Sequence, residues 1–324
     1  MTRITARWTR LLTRFWRTDQ ALTAVSLAML PVLAGSLLGL WLDPRTVQGA
    51  AVWLKPAKFA ASIGVYGLTL VWALGHLPAQ SRARRSVGRL SAGVFVLEML
   101  IISVQAARGT TSHFNASTLF DGALFTLMGA GIFTQTLASV VVAVALYRHE
   151  FADRVLGWAL RLGLTLTIVG ASFGGLMTQP SEAQLMEMKA GHPSAAGAHT
   201  VGAPDGGPGL ALTGWSKEHG DLRVPHFLGL HAFQALPLLA LGLRRSRWSE
   251  QQRVRLLQVA GGSYGALMAI LLWQALRGQP LLTPDTSTTA VLLAWATTSL
   301  ALVGLALQSG SAPHVATTTS RLTT

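Results

Sequence analysis

Cysteine is missing altogether, and charge is scarce. With no thiol among its 324 residues, the chain can form no disulfide, thiolate metal site, iron–sulfur cluster or thioether haem link. Any cofactor must be held by nitrogen or oxygen ligands, or by packing. Charged residues make up 12% of the chain, where a soluble domain carries about 25%. Acids are scarcer than bases: 13 Asp and Glu stand against 26 Lys and Arg, a net charge of +13. In a soluble protein that excess would point to nucleic acid. Here membrane topology accounts for it, and no nucleic-acid partner is expected. A Walker loop, a nucleophile elbow and the histidine boxes of desaturases are also lacking.

Apolar runs of about 20 residues are abundant, the length needed to cross a hydrocarbon core about 30 Å thick. They fall near 21–42, 57–77, 90–107, 122–147, 155–178, 226–243, 256–276 and 288–307. The expected fold is all-α: one polytopic transmembrane bundle of about eight spans, with the lipid bilayer as its main partner. The first run is longer than the 7–15 residues of a secretory core, and is read as an uncleaved span. The two halves share no motif that would mark an inverted repeat.

Orientation follows from the bases. Eighteen of the 26 Lys and Arg lie on the side of both termini, many in short loops such as Arg82 to Arg89 and Arg244 to Arg255. The positive-inside rule then places both termini in the cytoplasm. Within residues 1–18, Arg3, Arg7, Arg10, Arg14 and Arg17 recur on one helical face, with Ile4, Trp8, Leu11, Leu12 and Phe15 on the other. That pattern predicts a basic amphipathic helix lying in the interface. The bundle then occupies 19–308, with a long extracytoplasmic loop at 179–225. The tail 309–324 is too polar to fold and is expected to be a disordered cytoplasmic segment.

Polar residues inside the spans are few and costly to bury. In the second span Lys58, Ser62, Tyr66, Thr69 and His76 form one stripe, to be read as a cavity wall or as interhelical glue. Pro56 is placed at the first helical position. The third span carries Glu98, with Ser91 and Gln105 seven residues to either side on the same face. Tyr66 is its expected hydrogen-bond partner and Arg161 its expected charge partner. A proton relay and a structural hydrogen bond are the two readings.

The extracytoplasmic segments concentrate the chemistry. "WLKPAKF" brings Lys55 and Lys58; "ARGTTSHFNASTLFDG" brings Arg108, His113, Asn115 and Asp121; "GDLRVPHFLGLH" brings Asp221, Arg223, His226 and His231, with Gln234 on the face of His231. In the long loop, "GAPDGGPG" predicts tight turns and "EAQLMEMKA" a short helix. Lys55, Lys58, Arg108 and Arg223, with N–H groups of the sixth helix opened by Pro225, would bind an anion. Protonated imidazoles are expected to assist, so binding would weaken as pH rises. Alternatively His113, His226 and His231 would hold haem b or a divalent metal, with Asp121 or Asp221 orienting a ligand.

"WLKPAKF", "RGTTSHFN" and "GDLRVPHFLGLH" resemble a group of bacterial multi-pass inner-membrane proteins with no assigned activity. The resemblance spans most of 50–240 and implies residence in that membrane. Three functions are in view: an outward-facing polar cavity binding a small polar or anionic ligand or a lipid headgroup, for transport or a membrane-embedded reaction; a haem or metal oxidoreductase; or a structural assembly subunit.

Overall fold

The computed structural model describes residues 3–308. In chain order its elements are α1 (Arg3–Thr18), α2 (Gln20–Leu42), β1 (Thr46–Val47), β2 (Ala50–Ala51), α3 (Leu54–Leu74), α4 (Arg82–Ala107), α5 (Leu119–Arg148), α6 (Arg154–Met177), α7 (Glu182–Lys189), β3 (Thr200–Val201), β4 (Gly220–Asp221), α8 (Arg223–Leu230), α9 (Ala232–Leu243), α10 (Glu250–Leu276) and α11 (Thr286–Gln308). Oxygen-bearing caps start most of the long helices. Asp19, Ser81, Thr118, Asp153 and Ser249 each accept a first-turn N–H, satisfying donors that lack a partner within the helix.

Seven helices are long and apolar enough to cross a membrane: α2, α3, α4, α5, α6, α10 and α11. Counting the bent pair α8 and α9 as one span makes eight. These match the eight apolar runs. Large apolar residues such as Leu38, Leu100, Leu137 and Leu300 point away from the bundle, as suits a hydrocarbon surrounding. Ion pairs such as Arg244–Asp153 and Arg154–Glu250 join helix ends from separate parts of the chain. One end of the bundle gathers Arg82, Arg84, Arg85, Arg244, Arg245, Arg253 and Arg255 (the arginine end). The other bears the 179–225 segment.

Three apolar clusters hold the helices. The largest runs through α2 to α6 and includes Leu22, Leu70, Leu74, Ile102, Leu146 and Phe233. A second joins α6, α9, α10 and α11 around Leu236, Leu257 and Ala306. A small third, Phe114, Met177, Leu222 and Ala275, lies under the loops. In α1, Trp8, Leu11, Leu12 and Trp16 are exposed, but Phe15 is buried in the main cluster. That differs from the sequence reading, which put Phe15 on the lipid side; Phe15 is instead the residue that seats α1 on the bundle. The expected tail 309–324 lies outside the described residues.

The sixth run departs most from expectation. Its helix starts at Arg223, two residues before Pro225, and breaks at His231, where α9 turns 45° from α8. Side chains from two neighbours take over the backbone groups at the break. The Tyr264 hydroxyl donates to the Leu228 carbonyl at 2.5 Å. The Thr167 hydroxyl donates to the Gly229 carbonyl at 3.1 Å and accepts the Phe233 N–H at 3.2 Å. Hydroxyls inserted into a helix's own ladder are a known cause of kinks. Pro56 likewise falls at the third residue of α3, still within the turn where its missing N–H is harmless.

Candidate functional site

A cavity of about 1090 Å³ occupies the loop end of the bundle. Its walls come from the start of α3, the middle of α5, the last turns of α6, and α8. Its roof is the 199–219 segment together with the β1–β2 hairpin. The hairpin turns on Gln48 and Gly49, both at positive φ (48° and 73°), the two-residue geometry that matches strand twist. A side chain on Gly49 would come within 3.0 Å of the Gly206 carbonyl, so glycine also lets hairpin and roof touch.

The roof is ordered by its own acids. Asp205 accepts the His199 and Thr200 N–H groups at 3.0 and 2.9 Å and pairs with His199 Nδ1 at 2.6 Å. Burial alone would raise Asp205, but the hydrogen bonds from His199 and Thr200 hold it below the usual carboxylate range. Burial outweighs the opposing Asp205 bond at His199 and lowers that imidazole. Asp221 is buried and grips Arg223 through Nε at 2.9 Å and Nη2 at 2.6 Å, while accepting the Ser216 N–H at 2.8 Å. Arg223 Nη2 also donates to the Gly214 carbonyl at 2.7 Å, and Lys58 Nζ to the Thr213 carbonyl at 3.0 Å. These two bonds tie the roof to α8 and α3.

The 108–121 connection carries His113 and Phe114 into the wall. Asn115 organises it, donating to Thr110 Oγ1 and the Thr111 carbonyl and accepting from Ser117. Phe114 is held at φ 60°, a strained setting for a bulky side chain. Its ring meets those of His199 (4.9 Å) and Phe125 (5.5 Å). Burial, reinforced by the nearby Lys55 charge, pushes His113 well below the ordinary histidine value. Burial thus disfavours protonation of His113, contrary to the expectation that it would serve as a protonated donor. His226 donates Nδ1–H to the Gly170 carbonyl at 2.7 Å, since a carbonyl can only accept. Among the described residues its Nε2 makes no hydrogen bond, which leaves it as an acceptor.

Of the sequence candidates, Lys55, Lys58, Ser62, His113, Arg223 and His226 line the cavity. Arg108, Asp121, Asp221, His231 and Gln234 stand behind it. Arg108 and Asp121 pair at 2.5 Å, joined by Gln105 and Thr118, and clamp the two ends of the 108–121 connection. His231 sits at the helix break against Phe227; Gln234 donates to Thr69 at 3.3 Å. Among the described residues no three His, Asp or Glu form a group that could hold a metal ion, so His113, His226 and His231 are not assembled as ligands.

The polar stripe on α3 has two parts. Lys58 and Ser62 face the cavity; Tyr66 bonds Ser139 at 3.0 Å and Thr69 bonds Gln234, so both act as glue. His76 lies beyond the helix end. Glu98 is 1% exposed and neither carboxyl oxygen has a hydrogen-bond partner. Its expected partners are engaged elsewhere: Tyr66 with Ser139, and Arg161 with the carbonyls of Leu146 (3.0 Å) and His149 (2.7 Å) at the end of α5. Sequence reasoning missed His199, Asp205 and Trp215 as wall residues. The Gly- and Pro-rich turn between His199 and Asp205 was the available signal.

Lys55 completes the wall. Among the described residues it makes no hydrogen bond and no ion pair, while facing the cavity. The arrangement lines one cavity with the amines of Lys55 and Lys58, the Arg223 guanidinium, imidazoles, and aromatic surface from Phe59, Phe114, Phe125 and Phe227. Comparison with family models, curated proteins and solved structures finds no match for the chain.

Proposed function

We propose that this is a multi-pass protein of the bacterial inner membrane that binds an anionic oxyacid group, free or on a lipid head, in a cavity facing away from the cytoplasm. The observation that carries the reading is the unpartnered amine of Lys55 on the cavity wall. A lysine there without an anion forgoes charge-assisted bonds that a phosphate or carboxylate would supply. Lys58 spends one of its three donors on Thr213, and among the described residues Arg223 Nη1 makes no hydrogen bond. The ring nitrogens of His226 and His199 left over from their Gly170 and Asp205 bonds would accept hydroxyls carried by the same ligand.

Calorimetry on purified protein with inorganic phosphate and with soluble dihexanoyl phosphatidate tests this. Lys55→Met keeps the stem's packing and is expected to weaken the bound anion about tenfold, as loss of one charge-assisted bond implies. Phosphate binding alone would assign a free anion; phosphatidate alone, a lipid head. Failure of both to bind the unaltered protein overturns the reading.

The orientation proposed has eight spans, both termini cytoplasmic, and α1 in the interface with Trp8, Leu11 and Trp16 toward the acyl boundary. Because the chain has no cysteine, single cysteines report directly. A cysteine at Ala195 should react with a membrane-impermeant maleimide on intact cells, and one at Arg85 only after lysis. The opposite pattern would invert the topology.

A further inference from the structure

The cavity is not closed on all sides. On α5 its wall includes Gly129, Ile132 and Phe133, and on α6 Ser172 and Gly175. All five are exposed; Phe133 is 66% exposed and Ile132 41%. Residues that line a cavity and lie on the outer surface mark an opening in its side. Its cause is visible in the packing. The hydrogen bonds joining α5 to α6 lie near the arginine end, where Tyr147 meets Thr165 and Arg161 meets the carbonyls of Leu146 and His149. Farther along, the two helices flank the cavity.

The opening is set in an apolar surface. Leu127 and Leu137 on α5 and Val169 on α6 are exposed around it. Gly129 to Thr136 fall in the middle third of α5, about 15 to 25 Å from its first residue at 1.5 Å per residue. A water-borne anion has no need of a side opening at that depth. The cavity is also far larger than a phosphate or carboxylate fills, and its surplus is walled by Phe59, Phe125, Met128, Ile132 and Phe133.

We infer that the occupant is a membrane amphiphile: an anionic lipid whose head meets Lys55, Lys58 and Arg223 and whose acyl chain runs out between α5 and α6 into the bilayer. This deepens the reading above and rests on it. Chain methylenes lodged against the aromatic wall add affinity that a headgroup alone lacks.

The test uses full-length protein in lipid nanodiscs and a phosphatidate bearing a diazirine in its acyl chain. Illumination should label peptides containing Ile132, Phe133 or Ser172 above the rest of the lipid-facing surface. A side chain at Gly129 or Gly175 would meet nothing within 4 Å, so Gly129→Trp with Gly175→Trp can fill the opening without displacing backbone. That variant should lower labelling at these peptides about tenfold. Labelling spread evenly over the exposed helices, or unchanged in a folded double variant, overturns the inference and leaves the anion site standing. If the double variant does not fold, the labelling pattern of the unaltered protein decides. No binding of dihexanoyl phosphatidate or phosphate to the unaltered protein instead defeats the underlying anion site.

Discussion

Gly170→Val is expected to leave little or no folded protein to purify. A Cβ at Gly170 would lie 2.5 Å from Gly229 Cα, 2.8 Å from its carbonyl carbon and 3.1 Å from the Leu230 nitrogen. All three are backbone atoms, so no side chain can swing aside. To admit valine, α6 and α8 must part. Parting them strips the His226 bond to the Gly170 carbonyl and the Thr167 bonds at the helix break. Overpacking in a compliant core costs about 1–3 kcal/mol; here each lost buried hydrogen bond adds about 1 kcal/mol more. Total stability is on the order of 5–15 kcal/mol, so the sum is a large part of it. Gel filtration and a thermal melt in detergent are the measurements. Gly175→Val, on the same helix with open space around it, should behave as the unaltered protein. Equal melts for both variants would mean that α8 does not lie on α6 as described.

Asp221→Ala is the second large effect. The carboxylate is 1% exposed and its partner Arg223 27%. Removing one member of a buried pair costs about 3–5 kcal/mol, since the other is left without compensation. The partly exposed guanidinium puts this case at the low end, about 3 kcal/mol. The Ser216 N–H also loses its acceptor, which frees the roof above the cavity. A melting temperature lowered by several degrees and loss of anion binding are therefore expected together. Arg154–Glu250, at 4.0 Å with both partners well exposed, is the contrasting pair, and Glu250→Ala should move the melt little. An Asp221→Ala protein with an unshifted melt would remove the roof's proposed anchor.

What could be read from sequence depended on range. Hydrophobic run length is a local property, and the eight apolar runs coincide with the helices because each span must satisfy its backbone internally. Lys55, Lys58, His113, Arg223 and His226 could be grouped because alternating spans bring their segments to one end. Which of the wider candidate set faces the cavity was not legible. Arg108 and Asp121 looked like ligand residues but clamp a loop, since their pairing depends on the twelve-residue excursion between them folding back. Glu98 lost both expected partners because depth along separate helices does not fix their rotation or axial offset. The break at His231 has no local signature either. Its determinants, Thr167 and Tyr264, lie in helices on either side in the chain.

That last dependence bears on how the chain matures. A segment made before α10 cannot borrow the hydroxyl of Tyr264, because α10 follows it in synthesis. While the ribosome delivers residues 223–243, the Leu228 carbonyl must be served in some other way, by its own helix in a straighter form or by water. The final shape of the segment bearing His226 is thus fixed only when a later span arrives. The Tyr264–Leu228 bond that helps hold the bend can close only after both helices have been made.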